Sequence, residues 1–219
     1  MPIPAETHLR LRESTDMLLA ALAVLVIATV PLAGGRLSRL ADLRLRAVWA
    51  LALALVVQVL IISVLPSGDV DLHRVLHLAT YVAVLVWVVL NHGLLWRWPI
   101  VIGGALNFVV IVANDGVMPA SRAARVAAGL VGRQGFENSA AVAHPNLGFL
   151  GDVFAIPADL PLANVFSVGD ALLVLGIFLV VHRQCESYLA YRLARLGDGV
   201  RGHRRRTVPT QRGDAMAVS

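Results

Sequence analysis

Five apolar runs, each closed by glycine, proline or a short polar group, constrain this chain more than any other feature. They cover about residues 17–33, 47–65, 72–90, 99–114 and 168–182. At 1.5 Å of rise per residue, helices of such lengths approach the roughly 30 Å of a bilayer's hydrocarbon core. The expected fold class is therefore all-α, a polytopic membrane bundle of five transmembrane helices. Composition agrees, since charged residues make up 15% of the chain, against about 25% in ordinary soluble domains.

The runs divide the chain into three parts. Residues 1–16 form an N-terminal extension that mixes acids with Arg10 and Arg12 and so lacks the positive start of a secretory signal. Residues 17–182 form the membrane domain, with a long extracytoplasmic loop at 115–167, and 183–219 form a basic cytoplasmic tail that looks disordered beyond Gly197. Gly34-Gly35 ends the first run and Pro66-Ser67-Gly68 breaks the second. Within the loop, Ser121–Val131 has the pattern of a short amphipathic helix.

Arginine sets the orientation. All 19 basic residues are Arg, which suggests a bacterial genome rich in G and C, and 13 of them fall in 36–46, 91–98 and 183–219. The positive-inside rule puts those segments in the cytoplasm, with the N-terminus out and the C-terminus in. Trp49, Trp96 and Trp98 then share the inner interface, and the basic amphipathic stretch 36–46 lies on the anionic membrane surface. The expected location is a bacterial plasma membrane. The bilayer is the expected partner and nucleic acid is not, because a basic tail is what orientation already requires. A single cysteine, Cys185, excludes an internal disulfide.

The stretch from His144 to Asp170 does not read as a spacer. It carries two Gly-Asp pairs among prolines and apolar residues that follow neither helical nor strand period. Ser167 and Asp170 have the spacing of a capping box. Yet the apolar run after Asp170, Ala171–Val181, covers only about 16 Å, so the acid must sit at membrane depth. The segment is expected to be partly re-entrant and to set Asp170 against the amide face of the fourth helix, where Asn107 and Asn114 share a stripe with Gly103.

These residues define the candidate site. A pocket on the extracytoplasmic side would be lined by Asp170, Asp152, Asn114, Asn107 and His77, with Asp170 engaging a cation or proton and the amides orienting it. Plainer readings stand beside each. Asp170 is equally a helix cap, Asn114-Asp115-Gly116 a turn, and Asn107 and Gln58 glue between helices. His77 and Tyr81 are one turn apart, with His73 before them, but two histidines without a third ligand make a weak metal signal, and an interhelical hydrogen bond explains His77 more simply. No metal site is assigned. Haem is excluded because His92 and His182 belong to the other membrane face.

Several motifs occur together and in order: GGRLSRLADLRLR after the first run, LHLATY in the third, AND-GVMP after the fourth and FLGD...P...NVFSVGD before the fifth. Over roughly Met17 to Val181 the chain resembles the DUF5317 family of bacterial membrane proteins. That resemblance implies an integral membrane location and assigns no catalytic residue or cofactor. Members of the family tend to begin near the first span, so Met17 is expected to be the native start, and a peptide from residues 1–16 found in the cell by mass spectrometry would refute this.

Three function classes remain. The first, and the one the sequence favours, is a protein that binds or transports a small polar ligand or cation at that extracytoplasmic pocket. The second is a membrane enzyme acting on a lipid-linked substrate with a divalent metal held by Asp152 and Asp170. The third is a scaffold or accessory subunit with no small-molecule site. The absence of P-loop, GxSxG, HExxH and dinucleotide motifs weighs against soluble-type catalysis but leaves enzymatic activity open.

Overall fold

The computed structural model describes residues 21–59, 70–94, 96–130, 139–140 and 142–195. The N-terminal extension, the Pro66-Ser67-Gly68 break, the tail beyond Gly197 and the side chains of Gln58 and His73 lie outside them. The protein is mostly helical. Helix α1 covers Ala21–Leu32 and ends in a glycine turn, where Gly34 takes a left-handed φ of 70° and Gly35 N–H returns to Val30 O. A 3₁₀ segment, Leu37–Asp42, follows, then α2 (Val48–Val59), α3 (Val70–Leu90) and α4 (Trp98–Ala113), the last opened by Pro99 where a missing N–H costs nothing.

Beyond α4 the chain makes α5 (Arg122–Ala127), capped by Ser121 and ended at left-handed Gly129. Two short strand pairs frame it. Strand β1 (Met118–Pro119) runs parallel to β2 (Ser139–Ala140), and β3 (Phe154–Ile156) runs antiparallel to β4 (Asn164–Phe166) with Phe154 stacked on Phe166. The loop expected to be irregular thus carries ladder structure. Strands of three residues are too short to print an alternating pattern on the sequence, which is why none was visible. The last described elements are α6 (Val168–Gln184) and α7 (Tyr188–Arg195), the two axes meeting at 102°.

Helix α4 makes its most extensive contact with α6, and α2, α3 and α4 pack in sequence order. Glycine permits the close approach of α4 and α6. A Cβ on Gly103 would stand 2.9 Å from Leu172 Cβ, and one on Gly176 would stand 2.7 Å from the Ile100 backbone nitrogen. Around the C-terminal end of α4, Val110, Ile111 and Met118 form a core on which Leu78, Tyr81 and Leu150 close. Among the described residues no single helix is long and apolar enough to cross a membrane, and α6 with α7 meets that measure only as a bent pair.

Candidate functional site

The geometry around Asp170 begins with a local motif. Ser167 stands in extended conformation before α6, and its Oγ accepts from the Asp170 N–H at 3.0 Å while Asp170 Oδ2 accepts from the Ser167 N–H at 2.9 Å. Both halves of the capping box are therefore made, and the helix dipole favours the carboxylate there. The motif then reaches across to α4. Asn107 Nδ2 donates to Asp170 Oδ1 at 2.7 Å, and the Ser167 hydroxyl lies 2.9 Å from both Asn107 Oδ1 and Asp170 Oδ2. Asn107 and Ser167 are buried and Asp170 half-buried.

Position 169 has to be glycine for this joint to close, because a Cβ there would collide with the Asn107 side-chain oxygen. Ser167, Gly169, Asp170 and Asn107 thus act as one unit. Asp170 is a cap and an interhelical acceptor at once, so the local and the long-range readings of this residue describe the same atoms.

Asn114 does something else. Its Nδ2 donates to Val110 O and Asn146 O, both at 2.8 Å, and its Oδ1 accepts from the Asn146 N–H at 2.8 Å. Asn146 Nδ2 in turn donates to Ala113 O. The pair clips the returning loop to the end of α4 and leaves the Asn114 amide committed to backbone. Asp115, exposed with a left-handed φ of 57°, is the turn residue its neighbours Asn114 and Gly116 suggest.

Asp152 is buried, and its backbone bridges Ala120: its N–H donates to Pro119 O, and its carbonyl accepts from the Ser121 N–H. Tyr81 closes on the core of Val110, Ile111 and Met118. His77, also buried, meets the Tyr81 ring edge-on at 5.1 Å between centroids. Of the five sequence-derived site residues, Asp170 and Asn107 bond directly, His77 meets Tyr81, Asp152 joins the segment before α5 through its backbone, and Asn114 faces the loop. Tyr81 is a further residue here, signalled in the sequence by its i, i+4 spacing from His77.

A second polar joint occupies the opposite end of α6. His182 is buried with Nδ1 2.9 Å from Ser187 Oγ and Nε2 3.1 Å from Thr29 Oγ1, while Phe178 stacks on the ring at 4.1 Å. Ser187 Oγ accepts from the Ala190 N–H, and the Thr29 hydroxyl donates to Val26 O. One assignment satisfies every group: Ser187 O–H donates to Nδ1, and Nε2–H donates to Thr29. Burial pushes the thiol of neighbouring Cys185 above its ordinary range.

Among the described residues no three His, Cys, Asp or Glu side chains converge to hold a metal ion. Cavities of about 230 and 310 Å³ lie at the His182 end of the bundle rather than beside Asp170.

A family model described as a family of unknown function, DUF5317, matches residues 42–182. No curated protein and no solved structure matches the chain.

Proposed function

Since the chain belongs to the DUF5317 family, we propose that it is a multi-pass protein of the bacterial plasma membrane, five-spanning, N-terminus out, serving as a scaffold or accessory subunit. The observation that carries the membrane reading is an inverted distribution of polarity. His77, Asn107, Asn114, Ser167 and His182 are inside, while Leu25, Leu53, Val82, Ile102, Val109 and Ile177, from five helices, point outward. In water so many exposed apolar side chains would drive association, whereas in lipid they face their proper solvent and polar groups belong in the interior.

The scaffold reading rests on satisfaction. A ligand site keeps polar groups in want of partners, but the Asp170 carboxylate already accepts from Asn107 Nδ2 and the Ser167 N–H, and the Asn114 amide is spent on the loop. These bonds hold α4, α6 and the returning segment in one arrangement, which suits a rigid surface offered to other membrane components.

One observation favours a second reading. Asp152 is buried and Asp170 half-buried, and carboxylates taken partly out of water favour a cation or proton as partner. That cation is the point from which either transport or metal-assisted chemistry on a lipid-linked substrate would proceed.

Fractionation tests the first claim: the chain stays with membranes through alkaline carbonate, and release into the supernatant would refute it. Orientation is tested with Leu160→Cys and Arg44→Cys in intact cells. A membrane-impermeant maleimide labels the first at once and the second only after permeabilisation; the reverse pattern contradicts N-out. Asp152→Asn and Asp170→Asn separate the two functions. Scaffolding predicts that any phenotype follows abundance, and loss of function at normal abundance supports the cation.

A further inference from the structure

The cavities at the inner end have a chemistry of their own. They share Asp42, Gly93, Leu94 and Gln184, so they form one groove between the 3₁₀ segment, the turn joining α3 to α4, and the end of α6. Arg39 and Arg183 line its first half and Arg44 and Arg46 its second. Two of the four are engaged. Arg39 pairs with Glu186 at 3.1 Å, and the Arg183 guanidinium lies over the Trp96 ring at 5.6 Å. Among the described residues Arg44 and Arg46 make no ion pair.

The groove's depth is marked independently. Trp49 is 72% exposed, Trp98 61% and Tyr188 62%, all at this end of the bundle. Arg97 and Arg192 stack on the rings of Trp98 and Tyr188. Exposed tryptophan and tyrosine collect where a membrane protein meets lipid headgroups, and α7 leaves α6 at 102°, turning the chain along that surface. The groove therefore opens at headgroup level.

We infer that this groove seats the phosphodiester of an acidic phospholipid headgroup, with the guanidinium groups of Arg44 and Arg46 as donors. Guanidinium is suited to phosphate oxygens because its paired N–H groups match their spacing. Asp42, on the wall common to both halves, discriminates between sources of phosphate. Its carboxylate repels a dianion such as free inorganic phosphate, tolerates the single charge of a diester, and accepts from a headgroup hydroxyl. Phosphatidylglycerol has that charge and that hydroxyl; phosphatidylcholine has neither a net charge nor a donor.

This inference rests on the membrane reading above. Its test uses the full chain purified in detergent and mixed with equimolar phosphatidylglycerol and phosphatidylcholine of identical acyl chains, with retained lipid counted by native mass spectrometry. The wild type retains phosphatidylglycerol preferentially. Arg44→Gln with Arg46→Gln lowers that retention by about thirtyfold, taking the usual strength of two arginines at an anionic surface, and Arg122→Gln in the loop leaves it unchanged. Arg44→Gln alone, at an exposed side chain, gives a smaller loss without risk to folding. Inorganic phosphate fails to displace the lipid from wild type and competes better against Asp42→Asn.

Equal retention by wild type and the double variant overturns the site, and so does equal retention of the two lipids. Displacement by inorganic phosphate from wild type overturns the lipid assignment. Failure of the membrane reading is a separate result, because it shows as carbonate release of the unaltered chain.

Discussion

The two polar joints of α6 solve one problem by different routes. At the N-terminal end of α6, the outer joint in the orientation proposed above, Ser167 and Asp170 make a local motif three residues apart, and a single amide, Asn107, extends it to α4. At the C-terminal end of α6, the inner joint in that orientation, His182 meets the Phe178 ring of its own helix but makes its side-chain hydrogen bonds outside it, connecting Thr29, 153 residues away, with Ser187 before α7. The outer joint is charged and sits in a glycine-tight contact, whereas the inner one is neutral in the assignment that satisfies it. A charged acceptor holding several donors should resist loss less well than a neutral chain of single bonds.

Substitutions at the two joints can break this comparison. The largest expected effect is at Gly169. Gly169→Leu drives a side chain into Asn107 and the Gly103 carbonyl, and Gly169→Ala already forces a Cβ there. Overpacking of this kind costs about 1–3 kcal/mol or more, so Gly169→Leu should fail to accumulate and Gly169→Ala should melt well below wild type in detergent. A normal melting temperature for Gly169→Ala would mean that α4 and α6 are not in backbone contact.

Next in size is Asp170→Ala, which strands the Asn107 amide and the Ser167 N–H. Loss of a charged acceptor for buried donors is worth about 2–3 kcal/mol. Asp170→Asn keeps an acceptor for one of them and should lose roughly half as much. A double-mutant cycle with Asn107→Ala, read by thermal unfolding, should show strong coupling, and simple additivity would deny the bond. At the inner joint, Thr29→Val removes one neutral partner of His182 and should cost only about 1 kcal/mol. If it cost as much as Asp170→Ala, the contrast between the joints would fall.

The smallest effect concerns reactivity. Cys185 has no exposed surface, and burial raises its thiol pKa. A raised pKa means less thiolate at neutral pH, so maleimide labelling of the folded chain should be slow at neutral pH, accelerate only as pH climbs past the ordinary thiol range, and become complete on denaturation. Rapid labelling of the folded chain at neutral pH would show that the inner joint opens readily.

The same contrast explains what could be read in the sequence. The outer joint was legible because its signals are local or periodic: Ser and Asp three apart before an apolar run, and Asn107 one turn from Gly103 on a stripe of small residues. The helices α3, α4 and α6 announced themselves through their apolar runs and their breakers. By contrast, nothing near His182 names Thr29, because a contact spanning so much chain is fixed by packing and leaves no spacing to detect. Strands β3 and β4 were silent for want of length. Helix α7 was concealed by the arginines that made its segment look like a solvated tail, although Ser187 before it is a capping residue. Asn114 differs again: its place on the amide stripe marks it as a candidate ligand group, and its partners in the fold are Val110 and Asn146 of the distant loop.

The membrane reading requires that the bundle's outside be lipid. A nitroxide placed at Ile102 or Val109, each 50% exposed on α4, tests this most directly, using Cys185→Ala protein in lipid nanodiscs and power-saturation electron paramagnetic resonance. The account predicts high collision with oxygen and low collision with a water-soluble nickel chelate at both positions, and the reverse at Leu160 in the loop. Free access of the nickel chelate to Ile102 and Val109 would contradict it.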